Sequence, residues 1–247
     1  MSEAELTDTS KQGDEKSNVL SITINVFTSP QEAFKTLNSK PSFLFPLVLI
    51  MVSTMIVYYW YFSIVDNAWY IDDTLSRMGD LSDEQLEAIR GFYSSGSQSS
   101  TAIQGTLLGS LPLLVVYVLQ AGYLALASSL NGDGYRFKNW FSLICWTSLP
   151  SLLVVLVMAV NILLSPNGQI SILDANSLSL SSLGMEARGN TLLQSLMDTL
   201  NLPMFWSIAL VVMAYKQWVK SSIVKALWIV LTPYALIFGI WTYFAIT

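Results

Sequence analysis

Histidine is absent from this 247-residue chain, and cysteine occurs once, as Cys145. The first absence removes Ser-His and Cys-His nucleophile pairs, imidazole metal ligands and the usual proton shuttle near neutral pH. The second excludes an intrachain disulfide. Cys145 lies inside an apolar run, where a thiol serves as a small packing residue. Charge is scarce too: 12% of the residues are Asp, Glu, Lys or Arg, against about 25% in an ordinary soluble domain. A net charge of −5 leaves no basic stripe for nucleic acid to bind. A glycine-rich phosphate loop, paired carboxylates and metal-ligand spacing are missing as well. The expectation is a non-enzyme with no catalytic, cofactor-binding or metal residues.

What is present is apolar. Hydrophobic residues make up 53% of the chain and mean hydropathy is +0.51. A spanning helix needs roughly 20 mostly apolar residues. Five segments qualify: residues 42–64, 106–130, 140–164, 199–215 and 226–246. The fourth is the shortest, with 17 uncharged residues between Asp198 and Lys216. Lys216 snorkelling and Trp218 anchoring at the interface make up its length. The expected fold class is all-α, a polytopic membrane protein with five transmembrane helices over residues 20–246.

Lys and Arg set the orientation. Lys11, Lys16, Lys35, Lys40, Arg136, Lys138, Lys216, Lys220 and Lys225 fall on one side, and Arg77, Arg90 and Arg188 on the other. The N-terminus is expected in the cytoplasm and the C-terminus outside. Residues 1–19 read as a disordered cytoplasmic tail, since the first 17 are polar and mostly acidic, without the basic region and apolar core of a signal peptide.

Before the first span stands "FTSPQEAFKTLNSKPSFLFP". Ser29 is placed to cap a helix, Pro30 to occupy its first position and Glu32 to complete a capping box. Ala33, Phe34 and Leu37 share one face, and Pro41 ends the helix before the bilayer. A helix this short is unstable alone in water. The reading is a short amphipathic helix on the inner leaflet, with Pro30, Phe34, Lys35 and Lys40 at the membrane interface, Phe34 dipped in and the lysines near anionic headgroups.

Two outer loops are expected, 65–101 and 165–198. The first is acidic and contains "LSDEQLEAIRGFY", whose Ser82 and Gln85 form a capping box ahead of Leu86, Ile89 and Phe92 at helical spacing. In the second, "QISILDANSLSLSSL" alternates enough to suggest a hairpin. "NGDGYRF" reads as a turn between the second and third spans.

The span cores carry no ionisable residue, which argues against pumps and proton-coupled carriers. Gln120 and Asn161 are placed to hydrogen-bond neighbouring helices. Pro46, Pro112, Pro150, Pro203 and Pro233 put one proline in each span, and Pro112, Pro150 and Pro233 are the candidate helix-kink and packing positions. Ala121 with Ala125 is compatible with helix association, self-association included.

Three pieces, in order, carry a resemblance: "ITINVFTSPQEAFKTLNSKPSFLFPLVLI", "GDGYRFKNWFSLICWTSLPSLLVVLV" and "LNLPMFWSIALVVMAYKQWVKSSIVKALWIV". Together they are similar to the Yip-domain family of five-span membrane proteins, in its prokaryotic branch, over roughly residues 20–245. Eukaryotic members are linked to Rab-type GTPases and vesicle traffic, through a longer N-terminal region with a "DLYGP"-like motif. This chain lacks that motif and has 41 residues before its first span, so GTPase binding is not carried over. Some bacterial relatives accompany ABC exporters of the macrolide-export type with their periplasmic adaptors. The resemblance therefore implies a non-enzymatic accessory or scaffold protein of the bacterial inner membrane, with an ABC transporter or adaptor as partner. The alternatives are a carrier or channel for a lipid or small apolar molecule, and a membrane-shaping protein.

Overall fold

The computed structural model describes residues 19–78, 82–94, 96–187 and 190–246. Apart from Val19, the expected disordered tail lies outside them. Among the described residues the regular structure is helical. In chain order come α1 (Val19–Thr28), α2 (Pro30–Ser39), α3 (Leu44–Ile64), α4 (Asn67–Ser76), α5 (Asp83–Ser94) and α6 (Gln98–Asn131). They are followed by α7 (Phe137–Thr147), α8 (Leu152–Leu164), α9 (Thr191–Thr199), α10 (Leu202–Val219) and α11 (Ile223–Ile246). Five helical stretches are long and apolar enough to cross a membrane: α3, α6, the composite Phe137–Leu164, α10 and α11.

Their ends are set by caps that local hydropathy does not reveal. The second span starts at Gln98 rather than near residue 106, because the Ser97 hydroxyl caps the Ser100 N–H. Gln98 then donates to the carbonyls of Phe62 (2.8 Å) and Val65 (3.3 Å), covering the open end of α3. With 34 residues, α6 is about 51 Å long at ~1.5 Å per residue. The fourth span slides towards its C-terminus. Asn201 accepts from the Met204 N–H at 3.0 Å and starts α10 at Leu202, which draws Lys216 into its last turn. Ser222 caps α11 in the same way, through the Lys225 N–H.

The prolines divide into three kinds. Pro46 and Pro203 sit in the first turns of α3 and α10, where the missing N–H has no helical partner to lose. They bend nothing. Pro150 breaks the third span into α7 and α8 around the 3-10 turn Leu149–Ser151. The hydroxyls of Thr147 and Ser148 donate to Leu143 and Ile144 carbonyls in the turn before that break. Helices α6 and α11 run on through Pro112 and Pro233.

Contacts divide the chain into two compact units. The first comprises residues 1–48, 117–149 and 207–231, and the second 49–116, 150–206 and 232–247. In the first, α2 packs against α7. Phe34, Leu37, Trp140, Trp146, Leu143 and Tyr215 are fully buried there. The second has a core of Val57, Tyr61, Phe62, Val65, Ala102, Met158, Ile162 and Ala175.

The expected hairpin at 169–183 is not formed. The segment folds into turns, with one isolated antiparallel bridge between Ser179 and Asn201. Its buried positions are Ser171, Ala175 and Ser179, a spacing of four that suits successive turns; a strand buries every second residue.

Candidate functional site

In the first unit, an aromatic cluster ties the end of α10 to α2 and to the turn before α7. Trp140 stacks on Tyr215, with ring centroids 5.5 Å apart, and lies 5.4 Å from Trp218. Tyr135 stacks on Trp218 at 5.3 Å and meets Trp140 edge-on at 5.6 Å. Three of the four polar handles have a partner, and the buried Tyr215 Oη has none among the described residues. Trp140 Nε1 donates to Ser128 Oγ (2.8 Å), Tyr135 Oη to the Trp218 carbonyl (3.0 Å) and Trp218 Nε1 to the Phe34 carbonyl (2.9 Å). Gln217 Nε2 donates to the Gln31 carbonyl at 2.9 Å. The turn itself needs glycine, because Gly132 and Gly134 have φ of 71° and 79°.

The α2–α3 corner is pinned from α7. Ser142 Oγ and Trp146 Nε1 both donate to the Ser42 carbonyl at 2.7 Å. These bonds satisfy backbone that Pro41 keeps out of the helix. They also fix where the first span begins.

Several expectations for this region are corrected by the geometry. Pro30 does open α2, and Lys35 and Lys40 are exposed. Phe34, expected in lipid, is instead fully enclosed by protein, because Ala33, Phe34 and Leu37 form the face that packs inward. Trp218, expected as an interfacial anchor, is buried beside it. The Ser29–Glu32 capping box is not made. Its required donor, the Ser29 N–H, already bonds to the Asn25 carbonyl at 2.8 Å and closes α1.

In the second unit, the described parts of both long connections are folded. The Ser82–Gln85 capping box forms as expected. Arg77, following α4, reaches Asp73 at 3.0 Å and Asp174 of the other connection at 2.7 Å. Partial burial opposes its charge, but Asp174 and Asp73 outweigh this and raise its pKa. Arg90 on α5 pairs with Asp72 on α4 at 2.8 Å. Asp66 caps α4 by accepting from the Ala68 and Trp69 N–H groups, and it also accepts from Gln169 Nε2 at 3.1 Å. The Trp69 and Gln169 bonds hold its carboxyl below the ordinary carboxylate range. Tyr61 Oη donates to the Ile170 carbonyl at 2.9 Å.

Asn161 was expected to bond a neighbouring helix. One turn from the end of α8, its Nδ2 instead donates to Ala175 O (2.8 Å) and Ser177 Oγ (2.6 Å) in the connection that follows. Gln120 is half-buried on α6, Pro112 exposed, Pro150 buried and Pro233 half-buried. Sequence reasoning missed Gly105 and Gly109, a G-x-x-x-G pair on α6. A Cβ on Gly105 would collide with the Phe62 ring, and one on Gly109 with the Tyr58 ring. Two aromatic side chains one turn apart on α3 therefore lie against bare α6 backbone.

Against known families, the Yip1 domain model matches residues 24–244. The chain belongs to the Yip1 domain family. It is an integral membrane protein of that family, with five candidate spans inside the match. No curated protein and no solved structure matches it. The Yip1 match begins inside α1 and ends inside α11, so α1 from residue 24, α2 and both long connections lie within it.

Proposed function

We propose that this Yip1-domain protein is a non-enzymatic accessory or scaffold subunit in the bacterial cytoplasmic membrane, working with an ABC-type exporter or its periplasmic adaptor. The N-terminus and the two short turns face the cytoplasm; the connections at 65–97 and 165–201 face outward and carry the partner surface. The membrane domain spans residues 20–246.

The observation that carries this reading is the Arg77 bridge to Asp73 and Asp174. It ties the two connections together, with the Asp66–Gln169 and Tyr61–Ile170 bonds beside it. A partner then meets a pre-ordered surface, which lowers the ordering cost of association. Four hydroxyls in the spans favour a scaffold over a carrier. Thr106, Ser110, Thr147 and Ser148 donate to carbonyls of their own helices and are spent on backbone. Purification in a mild detergent is the test. Stoichiometric recovery of a transporter or adaptor subunit supports the reading; recovery of this chain alone as a stable self-oligomer contradicts it.

A further inference from the structure

Helix α1 has two apolar faces. Ile22 and Val26 are buried in the first unit, while Leu20 and Ile24 are 63% and 52% exposed and Phe27 is 40% exposed. Positions 20, 24 and 27 follow the i, i+4, i+7 spacing of one helical stripe. No residue of the helix is charged. Its threonines turn their hydroxyls onto the backbone: Thr23 Oγ1 donates to the Val19 carbonyl at 2.9 Å, and Thr28 Oγ1 to the Ile24 carbonyl at 3.0 Å. Hydroxyls satisfied this way cost little in a medium without water.

Among the described residues, the unit that holds this stripe is mostly basic. The same unit exposes Lys35, Lys40, Arg136, Lys138, Lys216, Lys220 and Lys225. Its acidic groups, among the described residues, are Glu32 and Asp133.

We propose that α1 is a lipid-binding element. Leu20, Ile24 and Phe27 enter the acyl-chain boundary of the bilayer that holds the spans, and the surrounding lysines and arginines hold anionic headgroups. Two observations commit the stripe to lipid. The first is continuity: Ser29, α2 and residues 40–43 are all that separate α1 from the first span, whose opening Leu44 and Phe45 are themselves exposed apolar side chains. The second is charge complementarity, since an anionic leaflet attracts basic residues placed at its surface. The membrane contact first sought at Phe34 thus moves one helix earlier. Local periodicity singles out α2 because its polar face is charged; α1 has no charged face to mark it. This inference stands independently of the exporter reading.

The test uses the full chain with Leu20→Cys, Ile24→Cys or Glu32→Cys, each carrying an NBD label, in vesicles of phosphatidylcholine and phosphatidylglycerol. Cys145 is buried, and labelling of the unsubstituted chain measures its background. Labels at 20 and 24 are expected to be quenched by doxyl lipids and shielded from iodide, with the reverse at the exposed, charged position 32. Iodide reaching all three positions equally overturns the proposal. Shielding of 20 and 24 from both quenchers also overturns it, because it indicates a protein occupant. Hydrogen exchange of the unsubstituted chain guards against a folding artefact. Amides of residues 19–28 are expected to exchange more slowly in nanodiscs containing phosphatidylglycerol than in phosphatidylcholine alone. Equal rates contradict the headgroup contact.

Discussion

The indole Nε1 of Trp218 donates to the main-chain carbonyl of Phe34 across 2.9 Å, joining residues 184 positions apart. Both side chains are buried, so the bond fixes α2 on the end of α10. Trp218→Phe keeps an aromatic ring and removes the donor, and is expected to cost about 0.5–1.5 kcal/mol. Trp218→Ala also empties the space beside Trp140 and Tyr135, which raises the cost to about 3–5 kcal/mol. Thermal unfolding in detergent should rank wild type above the Phe variant and the Phe variant well above the Ala variant. An Ala variant that melts with wild type would remove Trp218 as the clasp.

Gly109 and Tyr58 make a second test, on the packing of α3 against α6. Gly109→Ala drives a methyl group into the Tyr58 ring, an overpacking penalty of about 1–3 kcal/mol. In a Tyr58→Ala background the same methyl has room, so the penalty should largely vanish. A double-mutant cycle read by SDS-induced unfolding measures the coupling. Equal penalties in the two backgrounds would mean that the ring is not what glycine accommodates.

Gly168 has less freedom still. Its φ is +67°, and an added Cβ would meet the Ile64 carbonyl, a backbone atom that no side-chain rotation can move. Gly168→Ala is therefore expected to loosen the joined connections, where the Asp66 N–H reaches the Gly168 carbonyl at 3.4 Å. Trypsin added to the protein in detergent should then cut after Arg77 faster than in wild type. Unchanged cleavage would show that the connections hold together without this turn.

Asp66 gives the joined connections a pH dependence. Its folded-state pKa is lowered by the Trp69 N–H and Gln169 bonds. Its contribution is therefore complete above the ordinary carboxylate pKa and is lost as pH falls through the lower folded value. Exchange of α4 amides, corrected for intrinsic rates, should rise on acidification through that window. Asp66→Asn keeps a capping oxygen and should flatten this component of the profile, whereas Asp66→Ala should expose α4 at every pH. A wild-type profile with no acid-side rise would contradict the assigned role.

The parts of the fold legible in the sequence are those written in local pattern. Five apolar runs predict five spans, and Ala33, Phe34 and Leu37 predict one face of α2. What that face meets is not local: Trp218 arrives from the far end of the chain. Span ends depended on single caps, Ser97, Asn201 and Ser222, which hydropathy ignores. At 169–183 the apolar alternation suggested strands, but burial falls on every fourth residue and the segment winds into turns. The G-x-x-x-G at Gly105 and Gly109 was present as a signal; its partners, Phe62 and Tyr58, were visible only once α3 and α6 were placed together. Asn161 was recognised as polar within a span, yet its acceptors lie in its own following connection.

The central claim is that the folded outer body meets an export partner, and crosslinking in native membranes tests it most directly. A photo-reactive residue replaces Glu87, which is exposed on α5. After illumination, the attached protein is identified by mass spectrometry. The account predicts a defined adduct with an ABC transporter or periplasmic adaptor subunit, lost when the same residue is placed at Lys35 in the other unit. Adducts only with a second copy of this chain, or the same partner from both positions, would contradict it.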